Sequence, residues 1–100
     1  MYRLEYLPKA KEDIDKLALW ISEEKGMPLT AARYLEGLAK AINNLTKYPN
    51  VNPIRYHRFL FQYGFNMRRA NYKKMAILYS IHNEVVYIHR VIASSMITGF

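Results

Sequence analysis

Apolar and polar residues alternate from Tyr2 to Leu7, with Tyr2, Leu4 and Tyr6 on one side and Arg3 and Glu5 on the other. That two-residue period predicts a short strand with one buried face. The period then lengthens. Ala10, Ile14, Leu17 and Ile21 recur at helical spacing while Glu12, Asp13, Asp15 and Lys16 lie off the stripe, so a first helix is expected from Pro8 to Lys25. Gly26 and Pro28 interrupt it, one by allowing a left-handed turn and the other by lacking an N–H. A second stripe, Ala31, Leu35, Leu38, Ile42 and Leu45, follows a candidate N-cap at Thr30 and stops before Pro49. Two amphipathic helices joined by so short a connection pack as a hairpin.

Pro49, Asn50, Asn52 and Pro53 mark residues 48–55 as a loop. Beyond Tyr56 the pattern turns to β. Tyr56 to Phe65 is aromatic without a clear period, whereas Met67 to Arg69, Met75 to Ile81 and Val85 to Ile92 read as strands, the last two joined by a tight turn at His82-Asn83-Glu84. Strands that follow one another through short turns pair antiparallel. The expected fold is therefore α+β, in the order β-α-α-β-β-β, with a two-helix hairpin on one face of an antiparallel sheet to which the first strand adds.

The 100 residues suit one domain, 1–100, and 51% hydrophobic content argues for a folded core. With no cysteine, a disulfide scaffold or thiolate metal site is excluded, and the three histidines, His57, His82 and His89, show no metal-binding spacing. No metal or cofactor is expected. Charges at Arg3 and Glu5 interrupt what a signal peptide would need as an apolar stretch, and no run approaches the ~20 apolar residues of a membrane span. A cytoplasmic protein without a membrane partner is expected.

Charge changes the picture more. Residues 51–100 hold Arg55, Arg58, Arg68, Arg69, Lys73, Lys74 and Arg90 against the single acid Glu84, whereas eight bases nearly balance seven acids in residues 1–50. Most of the net +7 thus lies in the strand-rich half, interleaved with tyrosines, which predicts a single cationic surface for an anionic partner. Arg68, Arg69, Lys73, Lys74 and Arg90 are its candidate residues.

The run Tyr2 to Ala10 with Asp13, the segment Ala31-Ala32-Arg33-Tyr34 followed by Leu45 and Pro49, Met67-Arg68-Arg69, Ala76 to Ile81, and Val85 to Val91 together resemble the RelE/ParE family of toxins from bacterial toxin–antitoxin modules. The resemblance spans nearly the whole chain. It implies a compact toxin fold, neutralisation by a cognate antitoxin, growth arrest by the free toxin and a part in plasmid stabilisation. Two targets are implied within the family: DNA gyrase for ParE-like members, and mRNA on the ribosome for RelE-like mRNA interferases. A non-toxic binding module on the same scaffold is a third reading, because fold does not fix function.

Metal-free RNA cleavage needs a base for the 2′-hydroxyl, an acid for the leaving oxygen and cations at the phosphate. Arg68, His89 and Arg90 are the candidate catalytic residues. His89 and Arg90 are neighbours on a strand, however, and would face opposite ways unless a bulge intervenes. Arg90 has two open roles, pairing with a carboxylate of the first helix or lining the active surface, and the second is favoured. The family resemblance also implies that nucleases carry an arginine near the position of Ala76 and basic, tyrosine or histidine groups after the last strand, where this chain has Ser94-Ser95-Met96-Ile97-Thr98-Gly99-Phe100. Those departures favour the gyrase inhibitor over the endoribonuclease.

Overall fold

A computed structural model describes residues 1–97, with the side chain of Glu24 left aside. Strand β1 (Arg3–Tyr6) leads directly into helix α1 (Pro8–Leu19). Pro8 occupies the first turn, where its missing N–H leaves nothing unsatisfied. The helical path continues through a π-turn at Trp20–Glu24, closed by the Lys25 N–H on the Trp20 carbonyl at 3.2 Å, and ends at Gly26 with φ +63°. Helix α2 (Pro28–Asn44) starts three residues earlier than a Thr30 cap requires. Pro28 takes the first helical position, and the Ala31 N–H reaches the Met27 carbonyl at 2.9 Å, so the first turn closes without a side-chain cap.

Both helical stripes face inward as their spacing dictates: Ala10, Ile21, Ala31, Leu38, Ile42 and Leu45 are buried. They pack on a four-stranded sheet made with β2 (Arg68–Tyr72), β3 (Met75–His82) and β4 (Val85–Ala93), in the order β1-β4-β3-β2. The β2-β3-β4 meander is antiparallel, and Asn83 and Glu84, at φ 49° and 64°, form the two-residue hairpin turn between β3 and β4. β1 instead lies parallel to β4, which makes the sheet mixed. The short-turn rule governs consecutive strands only, and β1 meets β4 across almost the entire chain.

The sheet is covered on both faces, which the aromatic stretch from Tyr56 to Phe65 did not disclose. On the helix side Ile77, Tyr79, Val86, Ile88 and Val91 meet Leu38, Ile42 and Leu45. On the other side a one-turn helix α3 (Arg58–Phe61) places Leu60 with Met67, Ala76, Leu78, Ile92 and Ile97. Double coverage explains why Ala76 to Ser80 is continuously buried instead of alternating.

Candidate functional site

The β3–β4 register slips between Leu78 and Tyr79: Leu78 faces Arg90 and Tyr79 faces Ile88, leaving His89 as the extra residue of a β-bulge. Ile88 therefore packs toward the helices while Ile92 packs toward α3, so the two isoleucines do not share a face with Arg90 between them. The bulge also removes the expected opposition of His89 and Arg90. Both line one cavity of about 490 Å³ together with Leu7, Pro8, Lys9, Gln62 and Tyr63.

Arg90 is held from two sides. Its Nε and Nη2 donate to the Asp13 carboxylate at 2.7 and 3.0 Å, and its guanidinium carbon lies 5.8 Å from the Tyr63 ring centre. Asp13 also accepts the Val91 N–H at 2.9 Å. That amide lies just past Ile88, where pairing with β1 ends, so a helix carboxylate takes over from the missing strand. Hydrogen bonding to Asp13 raises the Arg90 pKa above its ordinary value, outweighing desolvation. Arg90 thus both pairs with the first helix and lines a cavity. Asp13 lies beyond the first helical turn, which contains no acid, so its role is this pairing and not a complement to the helix dipole.

His89 Nε2 lies 2.8 Å from the Oγ of fully buried Ser80. Burial, and then the charge of His82, lower its pKa from 6.5. The neutral ring fits the hydrogen bond with Ser80. A histidine pKa lower in the folded than in the unfolded chain gives stability that is complete above about pH 6.5 and is lost as pH falls through the folded value. Urea unfolding from pH 7.5 to 5 should therefore show wild-type stability declining below about pH 6.5, with a slope of up to ~1.4 kcal/mol per pH unit from this group. His89→Gln should decline less steeply. Superimposable pH profiles for the two proteins would remove His89 as the cause.

The remaining cations lie apart. Along β2 the alternation sends Arg68 toward the helix side, where its Nη1 donates to the Asn52 carbonyl beside Tyr79, and sends Arg69 to the other side, where its Nε donates to Asn71 Oδ1 at 2.9 Å. The Tyr79 hydroxyl donates to the Pro49 carbonyl at 2.7 Å and accepts from Asn52 Nδ2 at 3.2 Å, and burial raises its pKa. Arg68 thus belongs to a network that ties the loop before α3 to the sheet. Lys73 and Lys74 sit in the turn between β2 and β3, not on a strand, and border the same groove. In place of the single cationic surface expected from the sequence, the bases fall into groups: strand alternation sends Arg68 and Arg69 to opposite sides of β2, Lys73 and Lys74 stay together at the β2–β3 turn, and Asp13 pairs with Arg90.

Ala76 is fully buried under Leu60 and Met67, so its position offers neither a polar group nor an opening. Thr98, Gly99 and Phe100, part of the tail weighed above, lie outside the described residues. Among the described residues no three histidine, aspartate or glutamate side chains gather as a metal-ligand set, and no helix is long and apolar enough to cross a membrane. Sequence reasoning missed a groove bounded by Trp20, Tyr34, Lys73 and Lys74. Its signal was a lone tryptophan off the apolar stripe of α1.

A two-helix hairpin on a mixed four-stranded sheet is the fold of small toxins of the RelE/ParE type. The sequence profile of the ParE toxin of the type II toxin–antitoxin system parDE matches residues 4–98, and the chain belongs to that family. No individual curated protein matches it by sequence. Among solved structures, the chromosomal ParDE toxin–antitoxin system from P. aeruginosa is similar at TM-score 0.75 and 16% identity, over 93% of this chain and 96% of that one. The RelBE2 toxin–antitoxin complex from Mycobacterium tuberculosis is similar at TM-score 0.61 and 21% identity, over 92% and 96%. A mutant of YafQ from E. coli reaches TM-score 0.51 at 16% identity, over 99% and 100%. At these identities the likeness is one of fold, and it extends to ParE and RelE types alike.

Proposed function

We propose that this type II toxin arrests growth in the cytoplasm by binding a protein target, DNA gyrase being the ParE-type one, and that a cognate antitoxin neutralises it. The observation that carries this reading is the closed outer face of the sheet. Leu60, Met67, Leu78, Ile92 and Ile97 fill the surroundings of Ala76, so the position where the family's nucleases place an arginine is occupied by packed hydrocarbon. Arg90 is neutralised by Asp13, and Arg68 is engaged by a loop carbonyl. Both guanidiniums are thus engaged internally and not offered to charge developing on a phosphate at that face.

One observation favours mRNA cleavage as a second reading. The bulge brings His89 and the Asp13-paired Arg90 to a single cavity that Lys9 of α1 also lines, which supplies an imidazole beside an ammonium. The two readings separate by substrate. Purified toxin added to gyrase and relaxed plasmid should abolish supercoiling, while mRNA in a translating extract stays intact. Codon-phased cuts that vanish in His89→Gln, with supercoiling unaffected, would overturn the gyrase reading. Induction of the toxin alone should stop growth, and normal growth with soluble, folded protein would point to a harmless binding module.

A further inference from the structure

We propose that the segment carrying α3, on the face of the sheet turned away from the helix hairpin, docks the toxin onto a carboxylate-rich surface of its protein target. This rests on the toxin reading and gives it a contact surface. Arg58 to Phe61 form a single helical turn whose Leu60 is fully buried on the sheet, with Phe59 and Tyr63 packed beside it and against each other at 5.7 Å. Burying Leu60 sends its neighbour Phe61 outward, because successive helical residues lie about 100° apart. Phe65 sits between Gly64 at φ +135° and Asn66 at φ 58°, two residue types that tolerate left-handed backbone, and is turned out of the core. Tyr56, Phe61 and Phe65 are in consequence 77%, 50% and 80% exposed. Three large rings left outside the core within so short a segment have the composition of an interface, not of a solvated loop.

The charge around these rings selects the partner. No aspartate or glutamate occurs between Glu36 and Glu84, while eight lysines and arginines do. Arg58 is exposed on α3, and among the described residues no carboxylate bridges it or Arg55, whose buried Nε lacks an acceptor. Gln62 and Tyr63 lead from α3 to the cavity of Arg90, where Lys9 adds a further cation and no acid lines the wall. Arginine beside exposed aromatic rings is the pairing that carries binding energy at protein interfaces, and an acid-free patch complements carboxylates. A two-fold dimer through this face would set one cationic patch on another. A single-stranded nucleic acid would need phosphate contacts along a track, and Arg68 is turned to the helix side while Lys73 and Lys74 lie beyond the other end of β2.

The test uses the intact toxin carrying Phe61→Ser/Phe65→Ser, Arg58→Gln or Arg58→Glu, with Leu29→Ser as a comparably exposed apolar change on the hairpin. All four positions are exposed, so each variant should melt like the wild type by circular dichroism. On induction, the phenylalanine variant and Arg58→Glu should no longer arrest growth, whereas Leu29→Ser should arrest it fully. With purified gyrase, the half-inhibitory concentration for supercoiling should rise about thirtyfold in the phenylalanine variant, about tenfold in Arg58→Glu and less in Arg58→Gln. Full arrest by the folded phenylalanine variant, an equal loss in Leu29→Ser, or equal effects of Arg58→Gln and Arg58→Glu would overturn the proposal. So would saturable binding of a labelled single-stranded oligonucleotide of about 12 nucleotides that the phenylalanine variant abolishes, since that assigns the rings to bases. Wild-type arrest with supercoiling intact would instead fault the gyrase reading, and the surface is then judged by arrest, which depends on whichever target the toxin has.

Discussion

Replacing Asp13 with alanine should lower the unfolding free energy by about 3 kcal/mol, the low end for breaking a buried ion pair, because the Arg90 head keeps some contact with water. Asp13 and Arg90 side chains are 12% and 24% exposed, and the carboxylate satisfies three donors at once: two guanidinium nitrogens and the Val91 amide. Truncation leaves a largely buried cation and a strand N–H without their acceptor. Asp13→Asn keeps a neutral acceptor and should cost less. Arg90→Met in the Asp13→Ala background should recover part of the loss, since apolar replacement removes the stranded charge. Urea unfolding of these proteins together with Arg90→Met alone gives the coupling. A change of under ~0.5 kcal/mol in Asp13→Ala, the size of an ordinary surface substitution, would show that the pair does not secure the bulge.

The helices were legible because each needs only its own stripe. Of the residues their spacing named, Ala10, Ile21, Ala31, Leu38, Ile42 and Leu45 are buried and Ile14, Leu17 and Leu35 pack half-buried against the core. The strands from Met75 onward were legible through β-branched content and the Asn83-Glu84 turn. What stayed hidden depends on register. A bulge at His89 has no local signature, yet it decides that His89 and Arg90 share a cavity and that Ile88 and Ile92 do not share a face. The direction of β1 and the partner of Arg90 are likewise set by segments remote in sequence, one at each end of the chain. The cluster of positive charge was real in the sequence and dispersed in space. Net charge counts residues, but a surface needs them on one side, and strand alternation with one internal carboxylate was enough to divide them.

Gly37 supplies the second large effect, one that reverses sign with its neighbour. A Cβ at this position of α2 would lie 2.1 Å from the Tyr72 hydroxyl oxygen and 3.0 Å from its Cζ. Tyr72 is not free to swing aside: its hydroxyl donates to the Tyr34 carbonyl at 3.2 Å, and its ring meets that of Tyr34 edge-on at 5.1 Å. Overpacking of this kind costs roughly 1–3 kcal/mol, while alanine in a helix interior gains about 1 kcal/mol over glycine. Gly37→Ala should therefore destabilise the native background by about 1.5 kcal/mol, the steric term prevailing. In a Tyr72→Leu background the obstructing hydroxyl and ring are gone, so the same substitution should stabilise by somewhat under ~1 kcal/mol. The coupling of about 2 kcal/mol, read from thermal or urea unfolding of the double-mutant cycle, measures how closely the helix hairpin sits on β2. If Gly37→Ala stabilised both backgrounds equally, the glycine would be there for no packing reason, and the close approach of α2 to Tyr72 would be refuted.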